Sequence, residues 1–253
     1  MDILAFHLRG KMAHFRKYYS NSSALSYWVP PRTTLIGILA GLLGMERDSY
    51  YERFSLEECE IGLALCSPLK KTIQKMNLLM IKSSNDLNGS AEHHSQTATE
   101  FVIPWDLVNG YLDYKIWIHH QNKAIQAGLL KLLSPEHESF YYSKGIALAL
   151  GSAQNLGWIE TDKIYQGEPL QDVEEKRHIA SIVAAKDLTQ LDVITDGNYS
   201  YLKEDLPLEF DRERKLTAKG KGDFIINANG TGIWGSAAKL VQLENGEVIA
   251  WMH

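Results

Sequence analysis

The sequence predicts an α+β fold. Residues 1–160 are read as a ferredoxin-like (RRM-like) βαββαβ domain and residues 161–253 as a β-rich C-terminal extension. Three observations carry this reading. Apolar strand-like and helix-like runs follow the order strand, helix, strand, strand, helix, strand. A long polar run, "SSNDLNGSAEHHSQTATE", interrupts that order before the third strand. Beyond residue 160, the turn pairs Asp196-Gly197, Asn229-Gly230 and Asn245-Gly246 divide the chain into short β segments.

Each element has its own signal. Ile3 to Leu8 is an apolar run ending at Gly10, and a basic, aromatic loop, "KMAHFRKYYSNSSALSYW", follows it. A short helix is expected from about Pro31 to Gly44, with proline suited to its first turn. "CEIGLALCSPLKK" (Cys59 to Lys71) predicts one buried strand, and Tyr111 to His119 alternates as a third strand. Lys123 to Leu133 is an amphipathic helix stopped by Ser134-Pro135, and "YYSKGIALALGS" supplies the fourth strand.

At 253 residues the chain can bury a sizeable core. Its longest apolar stretch, Leu35 to Met45, is far shorter than the roughly 20 residues of a membrane span. The start, "MDILAFHLRG", has no cationic segment before an apolar run, so no signal peptide is expected. Cys59 and Cys66 stand seven apart, on opposite faces of a strand, and are not expected to bridge. A cytoplasmic protein is expected. The net charge is −5, yet Arg9 to Arg32 holds five bases and no acid, and Ile61 to Asn85 holds four bases and no acid. Such a chain can present one basic face.

The helix after "SYWVPPRTT" poses a problem, because glycine inside a helix costs about 1 kcal/mol relative to alanine. At 100° per residue, Gly37, Ala40, Gly41 and Gly44 form a smooth stripe opposite Leu35, Ile38, Leu39 and Leu42. The smooth face suits close backbone approach and the bulky face suits a core. Free N–H groups at the helix start, with Arg32 beside them, suit a phosphate. A tightly packed core helix with a solvated arginine is the alternative.

The stretch "FHLRGKMAHFRKYYSNSSALSYWVPPRTTLIGILAGLLG" resembles the N-terminal signature of the fifth CRISPR-associated protein family, RAMP-type subunits of the type I surveillance complex Cascade. "HHSQTATEFVIP" before "LDYKIWI", and "LALGSAQNLGWI", are similar to further family segments. The wording "FRKYYSNSSALSY" and "RDSYYERF" looks most like subtype I-B.

The resemblance implies a non-catalytic subunit that holds the 5′ handle of CRISPR RNA and caps the foot of the backbone filament. It would touch the backbone subunit and the large subunit, and meet target DNA only through the complex. It implies no cofactor and no membrane. A β-hairpin thumb would occupy about Lys75 to Pro104. The RNA-facing residues would be Lys11, His14, Arg16, Lys17, Tyr27, Arg32 and Thr33, with Lys75, His94 and Gln96 in the thumb. Tyr18, Tyr19 and Trp28 are further stacking candidates.

One branch of the family cuts precursor RNA, which needs a general base and a group that stabilises the phosphorane. His93, His94, Tyr18, Tyr19 and Lys75 are candidates by type, but no catalytic cluster is recognisable, and no catalytic residue is assigned. The adjacent pairs His93-His94 and His119-His120 point to opposite faces on an extended strand, and the cysteines lack zinc spacing, so no metal is expected. "GTGIWG" fits a glycine-rich hairpin better than a dinucleotide site. A β-rich interaction module without RNA is the remaining alternative.

Overall fold

The computed structural model describes residues 1–20, 24–77, 83–88, 96–133, 148–193 and 199–253. The first strand, β1 (Asp2–Gly10), is buried almost throughout because both of its faces are covered. Leu4, Phe6 and Leu8 face the main core, while Ile3 and Ala5 join a second cluster with Trp117, Tyr165 and Trp251. Two short strands, β2 (Phe15–Arg16) and β3 (Ser26–Tyr27), pair with each other, and helix α1 (Arg32–Leu42) follows.

Next come β4 (Cys59–Leu65), β5 (Leu69–Asn77), β6 (Gln96–Pro104) and β7 (Leu112–His120). Helix α2 (Lys123–Leu132) starts at Asn122, whose side chain accepts from the Ala124 and Ile125 N–H groups. It is followed by β8 (Gly157–Pro169). The C-terminal strands are β9 (Arg177–Ile179), β10 (Val183–Ala184), β11 (Leu188–Leu191), β12 (Tyr201–Pro207), β13 (Lys221–Asn227), β14 (Ile233–Ala237), β15 (Leu240–Leu243) and β16 (Val248–Ala250).

The central sheet has the order β16-β15-β8-β1-β7-β4, with every neighbouring pair antiparallel. Leu35 and Leu39 of α1 and Leu129 and Leu132 of α2 pack on the face that carries Leu4, Phe6 and Leu8. β5 and β6 leave this sheet as a separate antiparallel pair, in register from Leu69 opposite Pro104 to Asn77 opposite Gln96.

The expected Cys59–Lys71 strand is two strands in two sheets, parted at Cys66–Pro68, where Pro68 has no N–H to give a ladder. Both cysteines are free, Cys59 buried and Cys66 exposed. The fourth strand of the central sheet is β8, later than the "YYSKGIALALGS" segment. Residues 141–147 of that segment lie outside the described residues. Its described end turns back at Gly151, with Ala149 bridged to Leu156.

The boundary expected at residue 160 falls inside β8. Ile182, Leu206, Leu208, Phe224 and Met252 share the core of β1 and α1, so the extension closes the core of the N-terminal part. "GTGIWG" is not a hairpin: it links β13 to β14, which pair in different sheets.

Candidate nucleic-acid interface

The basic, aromatic loop is sewn to the rest of the protein by its backbone. Ala13 exchanges two 2.9 Å hydrogen bonds with Val102 of β6, and the Glu100 N–H donates to Ala24 O at 2.8 Å. On the other side the His14 N–H donates to Leu150 O at 3.0 Å. Gly151 then crosses directly over His14 with φ +90°, where a Cβ would collide with the His14 carbonyl. A cleft of about 430 Å³ opens between these pieces. His14, Phe15 and Arg16 meet Thr34 at the start of α1, Met76 and Thr99 of the β5–β6 hairpin, and Gly151, Ser152 and Gln154 in it.

His14 is buried in this wall, with Nδ1 2.7 Å from Glu100 O and its ring 5.7 Å from that of Phe101. Arg16 is exposed at the cleft, and its Nη2 donates to Ser20 O at 3.3 Å. Lys11, Lys75 and Gln96 are exposed, and Thr33 is half-buried beside the cleft-lining Thr34. His93 and His94 lie outside the described residues. Tyr18 and Tyr19 are exposed and meet edge to face at 5.3 Å. Tyr27 is buried; its ring lies 5.2 Å below the Lys17 ammonium, and burial raises the pKa of its phenol.

Residues 3–88 match a family model described as CRISPR-associated protein (Cas_Cas5). That N-terminal third of the chain is similar to the Cas5 family of CRISPR-associated proteins. No curated protein matches it. Among solved structures, a CRISPR protein from Archaeoglobus fulgidus is similar over 98% of this chain and 97% of that one, at 13% identity and a TM-score of 0.53, so the two share a fold. A chain of a "CRISPR RNA-guided surveillance complex" aligns over 97% of this chain and 93% of that one, at 12% identity and a TM-score of 0.42.

The family-matched segment contains Arg32, and the structure corrects the expectation for it. Arg32 is fully buried. Its Nη1 donates to Leu208 O at 3.0 Å, and its Nη2 donates to Phe54 O, Ser55 O and Cys59 O at 3.0, 2.9 and 2.6 Å. It clamps three backbone segments around the helix start and is closed off from a phosphate outside. Burial lowers its pKa, with Cys59 and Glu209 acting in the opposite sense. The reason is local. The 54–59 turn and the chain after β12 direct carbonyls toward the helix start, and the guanidinium supplies donors to them, at Ser55 O alongside the Glu58 and Cys59 N–H groups.

The glycine stripe is also corrected. A Cβ on Gly41 would meet nothing within 4 Å, and one on Gly37 would meet only the Tyr50 hydroxyl at 3.4 Å. The glycines of the stripe therefore do not serve a close approach within the chain, whereas Ala40 of the same stripe is buried in the core.

The chain neutralises much of its linear basic run with acids from elsewhere. Lys17 pairs with buried Glu204 at 2.8 Å, Lys71 with Glu100 at 3.1 Å, and Arg9 with Asp113 at 2.9 Å and with Glu160. Burial opposes the charge on Lys17, but the bond to Glu204 outweighs it and raises the pKa; at Lys71 burial prevails and lowers it. Among the described residues, Lys11, Arg16, Lys70 and Lys75 form no ion pair with a carboxylate within 4 Å. Thr34, Met76, Ser152 and Gln154 were missed as cleft residues, because nothing local in the sequence places them beside His14.

One trio of possible metal ligands gathers among the described residues. The ligand atoms of His7, Cys66 and Asp113 lie within 4.8 Å of one another. Asp113 is already held by His7 Nδ1 at 2.6 Å and by Arg9 Nε at 3.0 Å. No helix among the described residues is long and apolar enough to cross a membrane.

Proposed function

We propose that this chain is the subunit of a type I CRISPR surveillance complex that grips the 5′ handle of CRISPR RNA. The cleft beside Gly151 is the observation that carries the reading. It joins the family-matched segment at His14–Arg16 and Thr34 to the β5–β6 hairpin and the glycine turn. Its exposed cation, Arg16, suits a phosphate, and its backbone-lined wall suits close approach of a sugar-phosphate chain. The strand order β8-β1-β7-β4, with α1 and α2 on one face, supports a ferredoxin-like reading. The β5–β6 hairpin is then the thumb. Subtype I-B, a place at the foot of the backbone filament, contacts with the backbone and large subunits, and a cytoplasmic setting complete this reading.

In this account the subunit binds RNA and does not cut it. His14, the histidine of the cleft, is buried, and no lysine, tyrosine, carboxylate or second histidine of the described residues lines the cleft with it to complete an acid–base pair. Co-expression with a CRISPR array and the genes beside it, followed by purification on this subunit, tests the whole reading. The expected outcome is recovery of RNA with a uniform repeat-derived 5′ end, and no cleavage of repeat transcripts by the subunit alone. Recovery of no RNA contradicts the binding role, and site-specific cleavage contradicts the non-catalytic one.

A further inference from the structure

The turn between β6 and β7 carries Trp105, the most exposed aromatic side chain among the described residues at 66%. The turn beneath it is firmly built. The Trp105 N–H donates to Pro68 O at 2.9 Å and the Gly110 N–H to Asp106 O at 3.1 Å. The Asp106 carboxylate accepts from the Val108 and Asn109 N–H groups at 2.9 and 3.2 Å, so its lone pairs serve the turn.

Two ammonium groups reach this turn, one from β5 and one from the bend just after β1. Lys70 Nζ donates to Trp105 O at 2.9 Å and stands 5.3 Å from the ring centroid. Lys11 Nζ donates to Gly110 O at 2.7 Å. Among the described residues neither cation forms an ion pair within 4 Å, unlike Lys17 and Lys71, although the charge of Lys11 acts on the Asp106 carboxylate of the same turn. Just beyond Gly110 the alternation of base and ring continues, with Arg9 5.0 Å from the Tyr111 ring centroid and Trp158 5.9 Å from that ring.

We propose that Trp105 is a stacking platform for an unpaired base of single-stranded RNA, with Lys70 and Lys11 meeting the phosphates on either side. This rests on the RNA-binding reading above and names a contact outside the cleft. An indole with an open face and backbone-anchored cations beside it has the chemistry that base and phosphate together require. Leu107 and Val108, exposed on the same turn, would favour a protein partner, and the test includes that case.

The experiment titrates labelled oligoadenylate, and an abasic strand of the same length, into the full chain. Trp105→Ala should weaken oligoadenylate binding roughly 5- to 150-fold, since one stacked base is worth about 1–3 kcal/mol. Trp105→Phe should retain most of the affinity, Leu107→Ser and Val108→Ser should leave it unchanged, and the abasic strand should not distinguish Trp105→Ala from wild type. Because the ring is exposed, all four variants should melt normally. Wild-type RNA affinity in Trp105→Ala overturns the proposal and leaves the cleft reading standing. If Trp105→Ala, Leu107→Ser and Val108→Ser instead all lose co-purifying subunits, the turn is a protein-docking surface. If the wild-type chain binds neither strand, the RNA-binding reading falls, and this contact with it.

Discussion

Gly151 lies directly over the carbonyl of His14, with no room for a Cβ between them. This crossing joins the glycine turn before β8 to the family-matched N-terminal segment, and it forms one wall of the cleft. Gly151→Ala meets two obstacles, the collision and a φ of +90° that side chains rarely adopt. The expected outcome is a loss of about 1–3 kcal/mol in stability, read by chemical denaturation, together with weaker RNA binding. Wild-type stability and RNA affinity in this variant would show that the turn can move without consequence.

Arg32 answers for the fold. Removing its side chain takes the guanidinium donors from the carbonyls of Phe54, Cys59 and Leu208 in the core, while Ser55 O keeps its backbone donors. Arg32→Ala should cost about 3 kcal/mol or more, and many molecules should fail to fold. Arg32→Lys should not rescue it, because one ammonium cannot reproduce the fork. A normally melting Arg32→Ala protein with weakened RNA binding would reverse this assignment and restore the phosphate role.

Gly41 tests the outward face of α1. A methyl group there meets nothing within 4 Å. Gly41→Ala should therefore stabilise the isolated chain by about 0.5–1 kcal/mol, or roughly 1–4 °C in Tm. If the smooth face docks on a neighbouring subunit, the same variant should assemble less well. A lower Tm would mean that the face is already covered within the chain.

Asp113 sets a pH dependence. Burial alone would raise its pKa, but the bonds from His7 and Arg9 outweigh that and hold it below an ordinary aspartate's 3.8. A depressed carboxylate pKa gives stability that is present above 3.8 and is lost as pH falls through the lower folded value. Wild type should thus lose more stability than Asp113→Asn on going from pH 5 to below 3.8, measured by thermal melts. Parallel pH profiles would show that the three side chains are not coupled.

Elements whose determinants are local were readable from the sequence. β1, α1 and α2 were found within two residues of their ends, and Asn245-Gly246 does turn the chain between β15 and β16. The site was only half readable. Arg16 and His14 stand in the cleft, but the acid-free run around them misled on charge, because Glu204 lies 187 residues from the Lys17 it neutralises. Arg32 misled for the same reason. Its carbonyl partners come from the 54–59 turn and from Leu208, which no periodicity connects to a helix start.

The central claim is that the cleft between His14–Arg16, the β5–β6 hairpin and Gly151 holds RNA by its backbone. Titrating a labelled single-stranded repeat RNA into wild type and Arg16→Ala at several salt concentrations tests it most directly. Each phosphate neutralised on a single strand adds about −0.7 to the slope of log K against log salt. Arg16→Ala should therefore bind more weakly with a slope shallower by roughly 0.7, should do so equally for altered repeat sequences, and should melt like wild type. An unchanged affinity and slope in Arg16→Ala would contradict the account, because the exposed cation of the cleft would then meet no phosphate.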